Sequence, residues 1–448
     1  MTTLASSIRC AGCGYLVSPD EPYPFRCPEA GRGDVDHVLT RVLDPERVRF
    51  PRDGEGNPYL RYRALMHSYH LATAHGISDA EYCGLVTELD SSVARVDGRG
   101  FRATPFFLSR ELGGPLAFAD GGSVWIKNET GNVSGSHKGR HLMGVLVHLA
   151  VMERIGITDA GHRRGLAIAS CGNAALAAAV VARAGGWPLT VFVPPDADEG
   201  VVQALHDLRS TVVVCPREPG MPGDPAYLRL RHELDQGAVP FTTQGNENGL
   251  TIESGETLGY ELVTDLAKLP GGLDHLIVQV GGGALASSAI QALREAALLG
   301  ALDRLPRVHT VQTFGAHPLE RAYERVRAMM PEEPDPEAVR AAMAAAAARR
   351  SEFMWPWEHE PKSVAGGILD DETYDWRAVV EGMLLTGGQP VVVSEDLLIE
   401  ANSLAVALTG IPVDPTGSSG LAGLLALRRS GVVGEHDKVA ILFTGVQR

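Results

Sequence analysis

The 448-residue chain, 44% hydrophobic and 21% charged, is long enough for two or three globular domains with large cores. With 40 basic against 55 acidic residues, a formal charge of -15 and no Lys/Arg block, it lacks a phosphate-tracking stripe, which excludes nucleic acid as a partner. The first residues show no basic-then-apolar leader, and no apolar run reaches the ~18 residues of a membrane span, so a cytoplasmic protein with no membrane partner is expected.

Six cysteines in so long a chain do not form a disulfide framework, and 3 of them fall within the first 30 residues. Cys10-Ala11-Gly12-Cys13 has the spacing of one half of a zinc ribbon, and Cys27-Pro28-Glu29-Ala30 takes the place of the other half. Ala30 stands where the fourth cysteine belongs, so a tetrahedral site needs another group, and His37 is the candidate. The competing reading is a vestigial knuckle whose thiols are merely buried.

From about residue 120 onward, short β-branched runs alternate with helical patterns, the rhythm of parallel α/β units. Strands are expected at Val124–Lys127, Leu166–Ser170, Leu189–Val193, Thr211–Val214, Val239–Thr242, Leu276–Val280, Val308–Thr313, Val391–Val393 and Val439–Phe443, with helices between them. Gly185-Gly186-Trp187-Pro188 should stop one helix and start the next strand. The alanine-rich run Ala341–Ala348 reads as a helix with no chemical role.

Four segments carry chemistry. In Ser134-Gly135-Ser136-His137-Lys138-Gly139-Arg140 a lysine opens a helix directly after a small-residue turn. A lysine that captures an aldehyde must lose its proton near neutral pH, which burial or a neighbouring cation can arrange. A solvated lysine is the plainer alternative, although the helix dipole disfavours a cation there. A phosphate-cradling P-loop fails on count, because Ser136 and His137 stand where Gly131 requires Gly-Lys.

The second segment, Ser170-Cys171-Gly172-Asn173-Ala174, follows a strand and opens a helix, so its backbone N–H groups suit a carboxylate. Asn173 is either a ligand or a helix cap, and Cys171 is expected to pack rather than react. In the third, Gly281-Gly282-Gly283-Ala284-Leu285-Ala286, glycines after an apolar strand form a phosphate cradle. A dinucleotide fingerprint also fits Gly281, Gly283 and Ala286, but the next strand ends in Thr313-Phe314-Gly315-Ala316, without the acidic residue that reading needs. The fourth, Asp414-Pro415-Thr416-Gly417, reads as a rigid turn before the apolar helix Leu421–Leu427, with a hydroxyl available.

In this order the segments resemble the fold-type II pyridoxal phosphate enzymes, the tryptophan synthase β-like group, and most closely its threonine synthase and threonine dehydratase branches. The likeness covers roughly residues 100–445. Ser134–Arg140 is similar to the group's T-G-S-F-K-D-R, Ser170–Ala174 to S-S-G-N-x-A and Pro415-Thr416-Gly417 to P-S/T-G. Thr251–Glu261 and the Cys-rich start resemble threonine synthases as well. His137 and Gly139 depart from the usual Phe and Asp, which bears on substrate identity.

The resemblance implies an α/β fold of two open α/β domains with pyridoxal 5'-phosphate in the cleft between them, plus a small zinc-ribbon-like segment. The implied division is 1–40 for the Cys-rich segment, 41–139 with 241–448 for the large domain, and 140–240 for a small mobile domain. Lys138 is the implied Schiff-base and catalytic residue. Lys138, Asn173, Gly281, Gly282, Gly283, Ala284, Leu285 and Thr416 hold the cofactor, and Ser170, Cys171, Gly172, Asn173 and Ala174 the substrate. Cys10, Cys13, Cys27 and His37 are the candidate zinc ligands. A hydroxyl at the pyridine nitrogen leaves the ring less electron-withdrawing than a carboxylate would, which favours loss of a β or γ leaving group.

The activity implied is that of a lyase or β/γ-replacement enzyme acting on a hydroxy- or phospho-activated amino acid, in a homodimer. One alternative is a synthase adding a thiol, sulfite or amine to an aminoacrylate. Another, of a different class, is a non-catalytic ligand sensor or scaffold that keeps the fold. Trp355-Pro356-Trp357 and Lys362–Gly367 are placed near the pocket by position alone, with packing as their expected role.

Overall fold

The computed structural model describes residues 4–52, 54–217 and 223–448. Its contacts divide the chain into two compact units, one formed by Met1–Glu29, His37–Ala103 and Asn132–Thr257, the other by Ala30–Asp36, Thr104–Gly131 and Leu258–Arg448. Of the residues placed together from the sequence as 41–139 and 241–448, 41–103, 132–139 and 241–257 group here with the first unit.

The first unit contains an antiparallel pair, β1 (Ser6–Cys10) and β2 (Leu39–Leu43), in which Cys10 lies opposite Leu39. Its main sheet is parallel, in the order β7-β6-β5-β8, from β5 (Leu166–Ala169), β6 (Leu189–Val193), β7 (Thr211–Val214) and β8 (Val239–Pro240). Two helices carry the chemical segments, α1 (Lys138–Arg154) and α2 (Asn173–Gly185), and they pack on each other. Alanines at 174, 175, 177, 178, 179 and 182 are all buried, which lets α2 lie close to its neighbours. Gly186, at a φ of 70°, ends α2 in the left-handed conformation, the stop read from the sequence.

The second unit is built on a sheet in the order β11-β10-β9-β12-β4-β3. These strands are β3 (Phe106–Leu108), β4 (Ser123–Asn128), β9 (His275–Gln279), β10 (Arg307–Thr313), β11 (Pro390–Val393) and β12 (Lys438–Phe443). All pairings are parallel except the edge pair β3/β4. β9 and β12 are buried along almost their whole length, so they read as continuous apolar runs rather than alternating ones. Helix α3 (Leu250–Leu266) passes from the first unit into the second, where α4 (Ala284–Leu298) and α5 (Pro415–Arg429) follow. Small residues bring α5 onto the sheet, for a Cβ at Gly423 would come within 3.1 Å of Ile277 and one at Gly420 within 3.2 Å of Gln279.

Three expectations change. Pro415 is the first residue of α5 rather than part of a turn before Leu421, because Asp414 caps the helix through the Gly417 N–H and proline suits the first helical position. Strand β8 ends at Pro240 instead of Thr242, since proline brings no N–H to the ladder. Cys171 is exposed in the turn after β5, not packed. The alanine-rich run Ala341–Ala348 forms the end of a helix spanning Pro336–Ala347, with Ala348 as its C-cap. No helix of the described residues is long and apolar enough to cross a membrane.

Candidate active site

In the first unit the turn before Lys138 runs through two successive left-handed residues, Ser134 (φ 56°) and Gly135 (φ 66°), and this sharp reversal aims the following residues into α1. Val133–Gly135, directly before the lysine, packs against α2. Lys138 is half-buried, not solvated, and its Nζ donates to Thr243 Oγ1 at 3.3 Å. Thr243 lies in the loop after β8, at the same end of the sheet as the turn after β5. Thr243 was not among the residues picked from the sequence. The rule that parallel sheets place ligands beyond the carboxyl ends of their strands would have found it.

Around Lys138 the charges are settled by burial. His141, one turn along α1, is pushed down to about 3 by desolvation and then by the Lys138 charge, and its Nδ1 donates to the Thr251 carbonyl at 2.8 Å. A neutral His141 adds no second positive charge beside the amine. His137 lies edge-on to it with ring centroids 5.6 Å apart. Arg140 is buried with Nη1 donating to Thr257 Oγ1 at 3.3 Å, while the Tyr59 hydroxyl donates to its carbonyl at 2.5 Å. A Cβ at Gly139 would press on the Val133 carbonyl at 3.1 Å and touch the Phe101 ring at 3.4 Å.

Helix α2 is capped by Gly172, not by Asn173, and makes no side-chain capping bond, unlike the helix Glu395–Thr409 that Ser394 caps. The first-turn N–H groups of α2 thus meet no side-chain oxygen from its N-cap residue, an arrangement suited to an anion. Asn173, as the first helical residue, does not play the capping role considered from the sequence.

In the second unit Gly281, Gly282 and Gly283 follow β9 and lead into α4, whose cap Gly283 (φ 98°) again lacks a side-chain capping bond. None of the three tolerates a side chain. A Cβ at Gly281 would run into the Asp370 carboxylate and lie 2.9 Å from the Ile368 Cα, one at Gly282 would lie 2.9 Å from the Tyr374 ring, and one at Gly283 3.0 Å from Thr373. Thr373 Oγ1 donates to the Gly281 carbonyl at 3.0 Å and the Asp375 N–H to the Gly282 carbonyl at 3.1 Å. Gly367 donates to Thr416 Oγ1 at 3.0 Å. The stretch 365–375 therefore borders both the glycine triplet and Thr416, with Asp370 against Gly281 and Gly367 against Thr416. Position alone had suggested only that Lys362–Gly367 lay nearby. Gln279, at the end of β9, donates to the Gly417 carbonyl at 2.8 Å and to Thr444 Oγ1 at 2.8 Å, joining the glycine loop to the start of α5 and the end of β12.

These features fit pyridoxal phosphate. The triplet on an uncapped helix start suits a phosphate. The half-buried Lys138 suits an amine that must shed its proton. Thr416, whose oxygen already accepts from Gly367, keeps its own proton to offer a ring nitrogen.

Elsewhere in the first unit, Cys10, Cys13, Cys27 and His37 converge, their ligand atoms all within 4.8 Å of one another. Burial is the largest influence on Cys27 and pushes its thiol up to about 12.

Residues 99–445 match the family model described as pyridoxal-phosphate dependent enzyme. The threonine synthase of Methanocaldococcus jannaschii is 23% identical over 344 residues, covering 76% of this chain and 74% of that protein. The L-threonine ammonia-lyase of Thermotoga maritima is 30% identical over 180 residues, 40% of each chain. Among solved structures, maize serine racemase superposes with a TM-score of 0.57 at 19% identity, covering 82% of this chain and 93% of that one, a likeness of fold.

Proposed function

The chain belongs to the pyridoxal-phosphate dependent enzyme family and has its fold-type II α/β architecture, and from this premise we propose a lyase or β/γ-replacement enzyme of threonine synthase/dehydratase type. Its substrate in this reading is an amino acid activated by a hydroxyl or phosphate group. The observation that carries the proposal is Lys138, half-buried at the start of α1 with its Nζ on Thr243 Oγ1 at 3.3 Å. The threonine synthase and threonine ammonia-lyase relatives support the same class.

Lys138 is the residue that binds the cofactor. Gly281, Gly282, Gly283, Ala284 and Leu285 would take its phosphate on backbone N–H groups, the Thr416 hydroxyl would donate to its ring nitrogen, and Asn173 would donate to its phenolic oxygen. Pyridoxal phosphate, when bound, supplies an aldehyde for the substrate amine and a ring that draws electrons from the bonds at Cα. The turn Ser170–Ala174 orients the substrate carboxylate. Lys138 Nζ would take the Cα proton and, for a γ leaving group, a Cβ proton as well, so that the hydroxyl or phosphate departs with its bonding electrons and leaves a carbon–carbon double bond. His141, held neutral by burial, leaves Lys138 as the proton-accepting amine of this helix end.

The test is to incubate cofactor-loaded protein with phosphohomoserine, phosphoserine, threonine and serine, with and without added nucleophiles, and to identify products by mass spectrometry. Release of phosphate or ammonia from one of them, together with a visible cofactor absorption that is lost in Lys138→Ala, is the expected result. Cofactor-saturated protein with neither the absorption nor any turnover would overturn the proposal.

A further inference from the structure

The four N-terminal side chains meet as a set of ligands rather than as packed thiols. Cys13 Sγ and Cys27 Sγ are 3.7 Å apart, and Cys10 Sγ is 3.6 Å from His37 Nδ1. A disulfide has its sulfurs about 2.0 Å apart, so these thiols are not bonded. A tetrahedron with zinc–sulfur bonds of about 2.3 Å and zinc–nitrogen bonds of about 2.05 Å has edges of roughly 3.8 Å between sulfurs and 3.6 Å from sulfur to nitrogen. The two observed separations match these edges.

His37 reaches the site because it closely precedes β2, whose Leu39 is paired with Cys10 at the end of β1. The ladder thus does for the fourth ligand what a second C-x-x-C would otherwise do. Cys10 and Cys27 are buried, and the remaining ring nitrogen of His37 is buried with no hydrogen-bond partner among the described residues.

The cluster is tied to the loop that serves Lys138. The Gly249 N–H donates to the Phe25 carbonyl, two residues before Cys27, at 2.8 Å. A Cβ at Gly249 would collide with Leu39, the residue opposite Cys10. Arg26 pairs with Glu247 at 3.4 Å, and Arg41 of β2 pairs with Glu253 at 3.2 Å and with Glu256. All of these partners lie on the stretch that begins at Thr243, the hydroxyl beneath the Lys138 amine.

We propose that Cys10, Cys13, Cys27 and His37 bind one zinc ion, and that the metal fixes the Thr243–Glu256 stretch on which the position of Lys138 depends. On binding, each of the three thiols releases its proton and His37 coordinates as the neutral imidazole. The zinc site stands without the assignment of Lys138, whereas its effect on the active site rests on the function proposed above.

Protein purified in reducing buffer without added metal should contain about one zinc per chain by elemental analysis, and cobalt(II) exchanged into it should give the intense visible bands of a tetrahedral thiolate site. His37→Ala should lower metal affinity by at least about tenfold. His37→Cys, which completes a four-thiolate set, should hold zinc and strengthen the sulfur-to-cobalt charge-transfer band, and Cys83→Ser should change nothing. Because Cys27→Ser can simply misfold, the His37 pair is the decisive comparison. Lys138→Ala should keep full metal content, which separates this proposal from the one on the active site. Chelation of wild-type holoenzyme should lower its melting temperature and shift the cofactor absorption. Metal-free protein that also fails to give tetrahedral cobalt bands overturns the site. Intact cofactor absorption and melting temperature after complete zinc removal overturn the coupling.

Discussion

The Gly367 N–H donates to the Thr416 hydroxyl oxygen at 3.0 Å, and a Cβ on Gly367 would stand 2.8 Å from the Thr416 methyl. One exposed backbone group thereby holds the hydroxyl oxygen as an acceptor and leaves its proton to be donated elsewhere. Gly367→Ala should displace Thr416 and weaken cofactor binding about tenfold, or ~1.4 kcal/mol. Thr416→Ser, which keeps the hydroxyl, should stay within about twofold of wild type, and Thr416→Val should resemble Gly367→Ala. Titration of the apoprotein with pyridoxal phosphate reads all three. Wild-type affinity in Gly367→Ala would show that the contact positions nothing.

The contrast between Gly281 and Gly367 shows why only part of the site was legible in the sequence. Gly281–Gly283 directly follow an apolar strand and precede a helix, so local pattern sufficed to mark a candidate anion loop. Gly367 acts through a partner 49 positions away, which no local pattern encodes. Thr243 was hidden in the same way, 105 positions from Lys138. The parallel strands were readable because burial on both faces makes them continuous apolar runs, as in β9 and β12. Edge strands β1, β2 and β3 were missed because two of the five residues of β1 and of β2, and all three of β3, are solvent-facing or only partly covered, leaving short mixed patterns. At Pro415, proline read as a turn although an N-cap Asp directly before it marks a helix start.

Thr243 offers Lys138 a hydroxyl contact from the loop after β8. Thr243→Val keeps the shape but removes the oxygen, so the amine should lose its fixed position while the fold is retained. A five- to tenfold fall in kcat, about 1 kcal/mol in the barrier, is expected. Thr243→Ser should restore most of it. Single-turnover kinetics separate this from slower product release, and an unchanged chemical step in Thr243→Val would contradict the assignment.

Several histidines are held neutral by burial. His67 and His141 are pushed down to about 3, and His70, His148 and His309 to about 4, from an ordinary value of 6.5. In the unfolded chain each takes a proton as pH falls through 6.5, whereas the folded chain refuses it until pH 3 to 4. Their contribution to stability is therefore complete above that upper value and is lost progressively as pH falls toward the lower one. Each histidine adds up to about 1.4 kcal/mol per pH unit to the slope. The urea midpoint should drop clearly between about pH 7 and about pH 5, and a midpoint constant over that range would refute the reading.

Lys127 and Glu261 form an ion pair at 2.6 Å with side chains 0% and 3% exposed. The ammonium also donates to the Thr104 carbonyl at 2.8 Å, and Glu261 accepts from the Thr104 N–H at 3.0 Å, so both charges are compensated inside the second unit. Removing one partner leaves the other charged and dry, whereas removing both removes the desolvation cost as well. Lys127→Met should destabilise the protein by about 3–5 kcal/mol, and Glu261→Leu by a similar amount. The double variant should recover most of either loss, short of the bonds Thr104 gives up, in a urea-unfolding double-mutant cycle. If the double variant were as unstable as the two single losses added together, the pair would not act as a unit, and the loss would instead be one of packing around β4 and α3.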